Sequence, residues 1–94
     1  MFYIYVLLSL KDNNFYTGFT TDLRRRLKEH SWGESKATKK RRPLKLIYYE
    51  GYLLEKDARE REKYLKTSMG KRVLKKQLPN FIKRFKPDKI SPLR

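Results

Sequence analysis

Cysteine is absent from the 94 residues. Disulfides and thiolate metal sites are therefore excluded, and the chain suits a reducing compartment such as the cytoplasm. Histidine and tryptophan occur once each, so paired-histidine metal spacing is impossible and a nucleophilic triad would have to rest on His30 alone. Glycine is scarce, and no glycine run of the kind that cradles phosphates occurs. No segment reaches the roughly 18 apolar residues of a membrane span. The apolar start, MFYIYVLLSL, lacks a positive leader and a small-residue cleavage site, so it reads as a strand and not a signal peptide. Acidic residues are few: ten Asp and Glu stand against twenty-five Lys and Arg, leaving +15 at pH 7. Such an excess raises self-repulsion without helping the fold. Nucleic acid is the polyanion that accounts for it, and a solvated surface is the bland alternative. An anionic membrane fits less well, because no helix pairs a strongly apolar face with the lysines.

A chain this short makes one domain, burying only about 60% of its unfolded surface. Phe2 to Leu10 is apolar, β-branched and aromatic, which predicts a buried strand with Phe2, Ile4, Val6 and Leu8 on one face and Tyr3, Tyr5 and Leu7 on the other. Lys11-Asp12-Asn13-Asn14 is turn chemistry, and Phe15 to Phe19 returns as the hairpin partner. With that turn, Leu7 faces Gly18 and Ser9 faces Tyr16, and Tyr5, Leu7, Tyr16 and Gly18 share a face. Gly18 inside a strand marks a close approach by backbone or ligand. The two tyrosines are either strand aromatics or the walls of a phosphate-sized pocket.

Thr20, Thr21 and Asp22 are N-cap candidates for a helix from about Asp22 to Glu29, with Leu23, Leu27 and His30 as its inward stripe. Arg26 flanks that stripe, placed either to hold a phosphate bidentately or as one more solvated charge; Arg24, Arg25 and Lys28 turn outward. Residues 32–43 form a loop by composition, in which Lys36, Lys39, Lys40, Arg41 and Arg42 contact phosphate backbone or stay solvated and mobile. Trp32 either stacks on a base or packs onto the sheet, the reading favoured here. Leu44 to Tyr52 predicts a third strand, suited to a central place and covered partly on both sides, and Leu54 to Thr67 a helix ended by Gly70. Glu62 falls on the stripe of that helix that should be buried, where a carboxylate requires a metal or a cation. Lys71 to Phe85 is a basic helical stretch broken or kinked by Pro79. The domain is expected to span 1–86, with 87–94 as a flexible tail.

Tyr3-Ile4-Tyr5 and Tyr16-Thr17-Gly18, separated by ten residues and followed by Arg26, His30 and Glu62, resemble the GIY-YIG endonuclease family, most of all its small stand-alone members. The resemblance implies an α/β fold with a three-stranded antiparallel sheet flanked by helices. It also implies a DNA endonuclease using one divalent metal, commonly Mg2+ (or Mn2+), in DNA repair or recombination. Its catalytic residues would be Tyr5, Tyr16, Arg26, His30 and Glu62, with Glu62 on the metal, Arg26 on the phosphate and Tyr16 favoured over Tyr5 as general base. In this setting the cations of a basic pocket are expected to lower a phenol's pKa. Gly18, Arg24, Arg25 and the basic run would contact DNA, with RNA left open as a substrate and a protein partner for targeting allowed. Asn80 matches a polar residue near the metal. Three positions depart from the family pattern. Tyr3 replaces the glycine and Thr17 the isoleucine of the two motifs, and Phe19 stands where many members carry a lysine that helps deprotonate a tyrosine. His30 is the available substitute. The rival reading is a non-catalytic DNA- or RNA-binding module that keeps the fold and the basic surface.

Overall fold

The computed structural model of the chain describes residues 1–85; the tail expected at 87–94 lies outside them. Three strands, β1 (Phe2–Ser9), β2 (Phe15–Thr20) and β3 (Leu44–Tyr52), form one antiparallel sheet in the order β2-β1-β3. The described residues also form four helices: α1 (Leu23–Ser31) and then a 3-10 turn at Lys39–Arg41 lie between β2 and β3, and α2 (Glu55–Leu65), α3 (Ser68–Gln77) and α4 (Pro79–Phe85) follow β3. The α/β class and the three-stranded antiparallel sheet are as expected.

β1 is the middle strand because it alone is apolar on both faces. Ile4, Val6 and Leu8 join Phe15 from β2, Ala58 and Leu65 from α2, and Leu74 from α3 in the main core. Each large aliphatic side chain buried there contributes about 1.5–3 kcal/mol. On the opposite face Tyr5 and Leu7 are also buried. β3 occupies an edge and not the centre, so Lys45, Tyr49 and Gly51 are exposed.

The hairpin register differs from the expected one by two residues: Tyr5 lies opposite Gly18 and Leu7 opposite Tyr16. Ser9 is the cause. Its hydroxyl accepts the amides of Lys11 and Asp12, while Asn13 takes φ 63° and donates its amide to the Ser9 carbonyl at 2.8 Å. The turn therefore closes over Leu10–Asn13, one residue early, and leaves Leu10 exposed. A one-residue move of the turn shifts the pairing by two, so every side chain keeps its face.

The basic run is not a free loop. The Ser9 hydroxyl donates to the Arg41 carbonyl at 2.7 Å, the Leu10 amide to the Pro43 carbonyl at 2.8 Å, and Arg41 pairs with Asp12 at 2.7 Å. Trp32 is 66% exposed and does not pack on the sheet. It is the C-cap residue of α1, with its backbone amide donating to the Lys28 carbonyl at 2.9 Å.

α2 stops at Leu65, five residues before Gly70. Thr67 caps α3 by accepting the Gly70 amide, so Gly70 lies in the first turn of α3 and is buried. A Cβ there would run into the Tyr64 carbonyl: this glycine is needed for close approach of two helices, not for stopping one. Pro79 breaks the last basic stretch as expected, with α3 ending at Gln77 and α4 starting on the proline.

Candidate active site

Antiparallel pairing of β1 with β2 sets Tyr5 beside Gly18, and the phenol ring lies across the glycine, where any Cβ would strike its hydroxyl. Asp22 caps α1 by accepting the Arg25 amide at 3.1 Å, which starts the helix and aims Arg26 and His30 at the same sheet face. His30 is 1% exposed. Its Nε2 is 2.7 Å from the Tyr5 hydroxyl and its Nδ1 is 2.6 Å from the Thr38 hydroxyl. Tyr16 completes the group, its ring centroid 5.3 Å from that of His30 and 6.4 Å from that of Tyr5.

Arg26 donates Nε to the Tyr5 hydroxyl at 3.3 Å, Nη1 to Glu29 at 2.8 Å and Nη2 to Ser35 at 3.5 Å. The hydroxyl thus receives from a group that can only donate, and it is left to donate to His30 Nε2. That arrangement places the ring proton on Nδ1, facing Thr38. Burial, and then the Arg26 charge, hold the His30 pKa down at about 4, so the ring is neutral near pH 7. Burial also pushes the Tyr5 phenol up to about 12, against the opposing hydrogen bond from Arg26. The expected lowering of a phenol pKa by nearby cations therefore does not occur at Tyr5: desolvation of the phenolate outweighs it.

Glu62 on α2 is largely covered, its side chain 16% exposed, and it faces Arg59 at 3.5 Å and Lys66 at 3.0 Å on its own helix. Its charge is the weakest of the influences acting on the Tyr5 phenol. Arg59 also lies 3.6 Å over the Phe19 ring. A guanidinium from α2 thus stands at the strand position where the lysine was missing. Among the described residues no three His, Cys, Asp or Glu side chains converge on one point. A single carboxylate nevertheless fits Mg2+, which keeps several waters and is completed by substrate phosphates.

The structure brings together Tyr5, Tyr16, Gly18, Arg26 and His30, whereas the ion pairs of Glu62 among the described residues are with Arg59 and Lys66 of its own helix. Arg24, Arg25, Lys36, Lys39, Lys40 and Arg42 are exposed. Arg25 faces Glu29 at 3.6 Å, and Arg41 differs from its neighbours in being held by Asp12. Asn80 is exposed in the first turn of α4. Glu29, Ser35, Thr38 and Arg59 were not anticipated. Glu29 and Arg59 had a readable signal, each three residues from a partner on its helix. Ser35 and Thr38 had none, being small polar residues in a basic stretch.

Comparison with known proteins shows the family and the fold. Residues 1–77 match the model of the GIY-YIG catalytic domain. The UPF0213 protein CPE1444 of Clostridium perfringens is 42% identical over 67 residues, covering 70% of this chain and 71% of that protein. The UPF0213 protein YazA of Bacillus subtilis is 38% identical over 65 residues, covering 68% of this chain and 66% of that one, just under two thirds of its length. The solution NMR structure of the UPF0213 protein BH0048 from Bacillus halodurans superposes with a TM-score of 0.53 at 33% identity, over 83% of this chain and 86% of that one.

Proposed function

The chain belongs to the GIY-YIG family, and we propose that it is an endonuclease that hydrolyses phosphodiester bonds of DNA with a divalent metal, with residues 1–86 as the working unit. The observation that carries this reading is the convergence of Tyr5, Tyr16, Arg26 and His30 on one sheet face. Arg26 is 29% exposed at its side chain, so a phosphate can displace Glu29 from it and take two parallel hydrogen bonds. Tyr16, half-buried and not tied to the arginine, is assigned the proton of the attacking water. Tyr5 is assigned to orientation, because a phenol near pKa 12 stays protonated and keeps His30 and Arg26 in place. Glu62 would hold Mg2+ or Mn2+, and the ion would supply charge stabilisation at the departing oxygen. The cysteine-free composition and the nucleic-acid substrate go with a cytoplasmic role in DNA repair or recombination. No helix among the described residues is long and apolar enough to cross a membrane.

A non-catalytic nucleic-acid-binding module is the second reading. It is favoured by one observation, that Arg26 and Glu62 are both already paired with charges of their own helices. Glu62→Ala separates the two. Incubated with supercoiled plasmid in Mg2+, Mn2+ or EDTA, the native protein should cut only with metal, and the variant should lose cutting while binding DNA equally or slightly more tightly. A folded variant that loses binding and cutting together removes the metal role from Glu62. A native protein that binds and never cuts is the binding module.

A further inference from the structure

Beside the tyrosine–histidine cluster, the end of α1, the 3-10 turn and the start of β3 enclose a pocket of about 550 Å³, walled by Lys11, Ser31, Lys39, Lys40 and Arg42 above Leu44. Four of these are cations, and none is within ion-pair distance of a carboxylate among the described residues. Arg41, between them in sequence, is the exception and is neutralised by Asp12. The wall is fixed in place. Arg42 donates Nε to the Lys39 carbonyl at 3.1 Å and Nη1 to the Ser31 carbonyl at 3.4 Å. Its guanidinium lies on Gly33, whose φ of +79° and missing Cβ leave room for it, since a Cβ there would sit 2.7 Å from Arg42 Cζ. Trp32, next to Ser31 in the chain, holds its indole in solvent at 66% exposure.

We propose that this pocket and Trp32 form a subsite for an unpaired nucleic-acid strand, the pocket taking a backbone phosphate and the indole a base. Uncompensated cations recruit phosphates, and an exposed aromatic ring recruits a base face. A duplex hides its base faces within the stack, so the two features together favour a single strand over a duplex. The subsite abuts the cluster at two points: Ser31 follows His30, and Lys39 follows Thr38, whose hydroxyl meets the His30 ring. The proposal rests on the nuclease reading for its cleavage consequence, and on the pocket alone for binding.

Trp32 is the one tryptophan, so intrinsic fluorescence reports on it directly. The full-length protein in EDTA would be titrated with oligodeoxythymidylate, oligouridylate and a hairpin duplex, each also over a salt series. Single strands should quench Trp32 and bind more tightly than the duplex, with the deoxy and ribo arms ranking the sugar. Exposed, unpaired Lys39 and Lys40 allow a Lys39→Glu/Lys40→Glu double variant, expected to weaken single-strand binding at least about tenfold. Its plot of log K against log salt should be shallower by about 0.7 for each phosphate that is no longer neutralised. Trp32→Ala, followed by anisotropy of labelled strand, should weaken binding about fivefold or more. Lys11→Glu, across the pocket on another element, repeats the charge test should the double variant fold poorly. Saturating single strand without quenching, duplex preferred over single strand, or folded charge variants that bind like the native protein would each overturn the subsite. Plasmid cutting is read separately. Cutting with unchanged pocket variants would leave the nuclease and remove the subsite, and quenching lost in those variants without any cutting would do the reverse.

Discussion

The Tyr5 hydroxyl lies between Arg26 and His30 with the Gly18 backbone against its ring, whereas Tyr16 touches the cluster only through ring contacts. Removing the two hydroxyls should therefore have different effects. Tyr16→Phe should lower kcat about 10²- to 10⁴-fold, as for a lost general base, with little change in melting temperature. Tyr5→Phe should cost about 1–3 kcal/mol of stability, because it leaves buried His30 Nε2 without its partner, and should reduce cutting less. Equal losses of kcat would mean that neither phenol is uniquely the base. His30 adds a pH signature. Its folded pKa near 4 lies below the ordinary 6.5, so the unfolded chain binds the proton first. Stability is then complete above about pH 6.5 and falls as pH drops toward 4. Thermal melts of the native protein should decline between about pH 6.5 and about pH 4.5, and His30→Asn should flatten that decline. The paired carboxylates, Asp12 with its pKa near 2 and Glu29 and Glu50 both held low, lose their contribution only at more acid pH.

Among the helices, α2 carries the most connections. Its inner face presents Ala58 and Leu65 to the sheet, and its flank sends Arg61 to Glu50 on β3 at 2.9 Å. Burial pushes Glu50 up, but Arg61 and the hydroxyls of Tyr48 and Tyr52 outweigh it and keep the carboxylate charged. This network fixes α2 against β3, and Glu62 is the next residue after Arg61. α3 then packs across the end of α2 at Gly70. Replacing that glycine with alanine pits two effects against each other. Helix propensity favours alanine by up to about 1 kcal/mol. The new methyl meets the Tyr64 carbonyl, and overpacking against backbone that cannot swing aside costs about 1–3 kcal/mol or more. Gly70→Ala should therefore lower the melting temperature, by roughly 4–8 °C per net kcal/mol in a domain of this size. An unchanged or raised melting temperature would show that the α2–α3 junction gives way easily.

For the whole molecule, the excess of +15 opposes compaction and favours polyanions through the same field. Salt should act on the two in opposite directions. Screening over a Debye length of about 8–10 Å near physiological ionic strength should raise the melting temperature by a few degrees between roughly 20 and 200 mM NaCl. Over the same range log K for duplex DNA should fall by about 0.9 per phosphate contacted for each unit of log salt. A melting temperature that falls with salt would mean that pairs such as Arg61–Glu50 outweigh the general repulsion. The charge by itself does not separate nuclease from binding module, because both need it; the arrangement around Arg26 and Glu62 does.

The strand set was legible in the sequence because an apolar run without charge, a four-residue turn and a β-branched aromatic return leave few alternatives. The β3 bounds, an N-cap within residues 20–22 and the break at Pro79 followed from local chemistry. Side-chain periodicity alone put Tyr5, Tyr16 and Gly18 on one face, and it survived a wrong register because the error was two residues. What the sequence could not supply were relations between distant segments. The turn position depended on Ser9 capping its own loop, and the fixing of the basic run depended on Ser9, Leu10 and Asp12 meeting Arg41 and Pro43. Gly70 read as a helix stop until a second helix was seen against it, and Trp32 read as core although it stands exposed at the end of α1. The phenol pKa reversed for the same reason: the sequence shows how many cations are present, but only packing shows how dry the oxygen is. The sequence by itself determined the strands, the shared face of the motif residues and the charge that seeks a polyanion, because these depend on local periodicity and composition. Tertiary structure alone decided which phenol is sunk and that Arg41 is neutralised while its cationic neighbours stay open, because each depends on contacts between residues tens of positions apart.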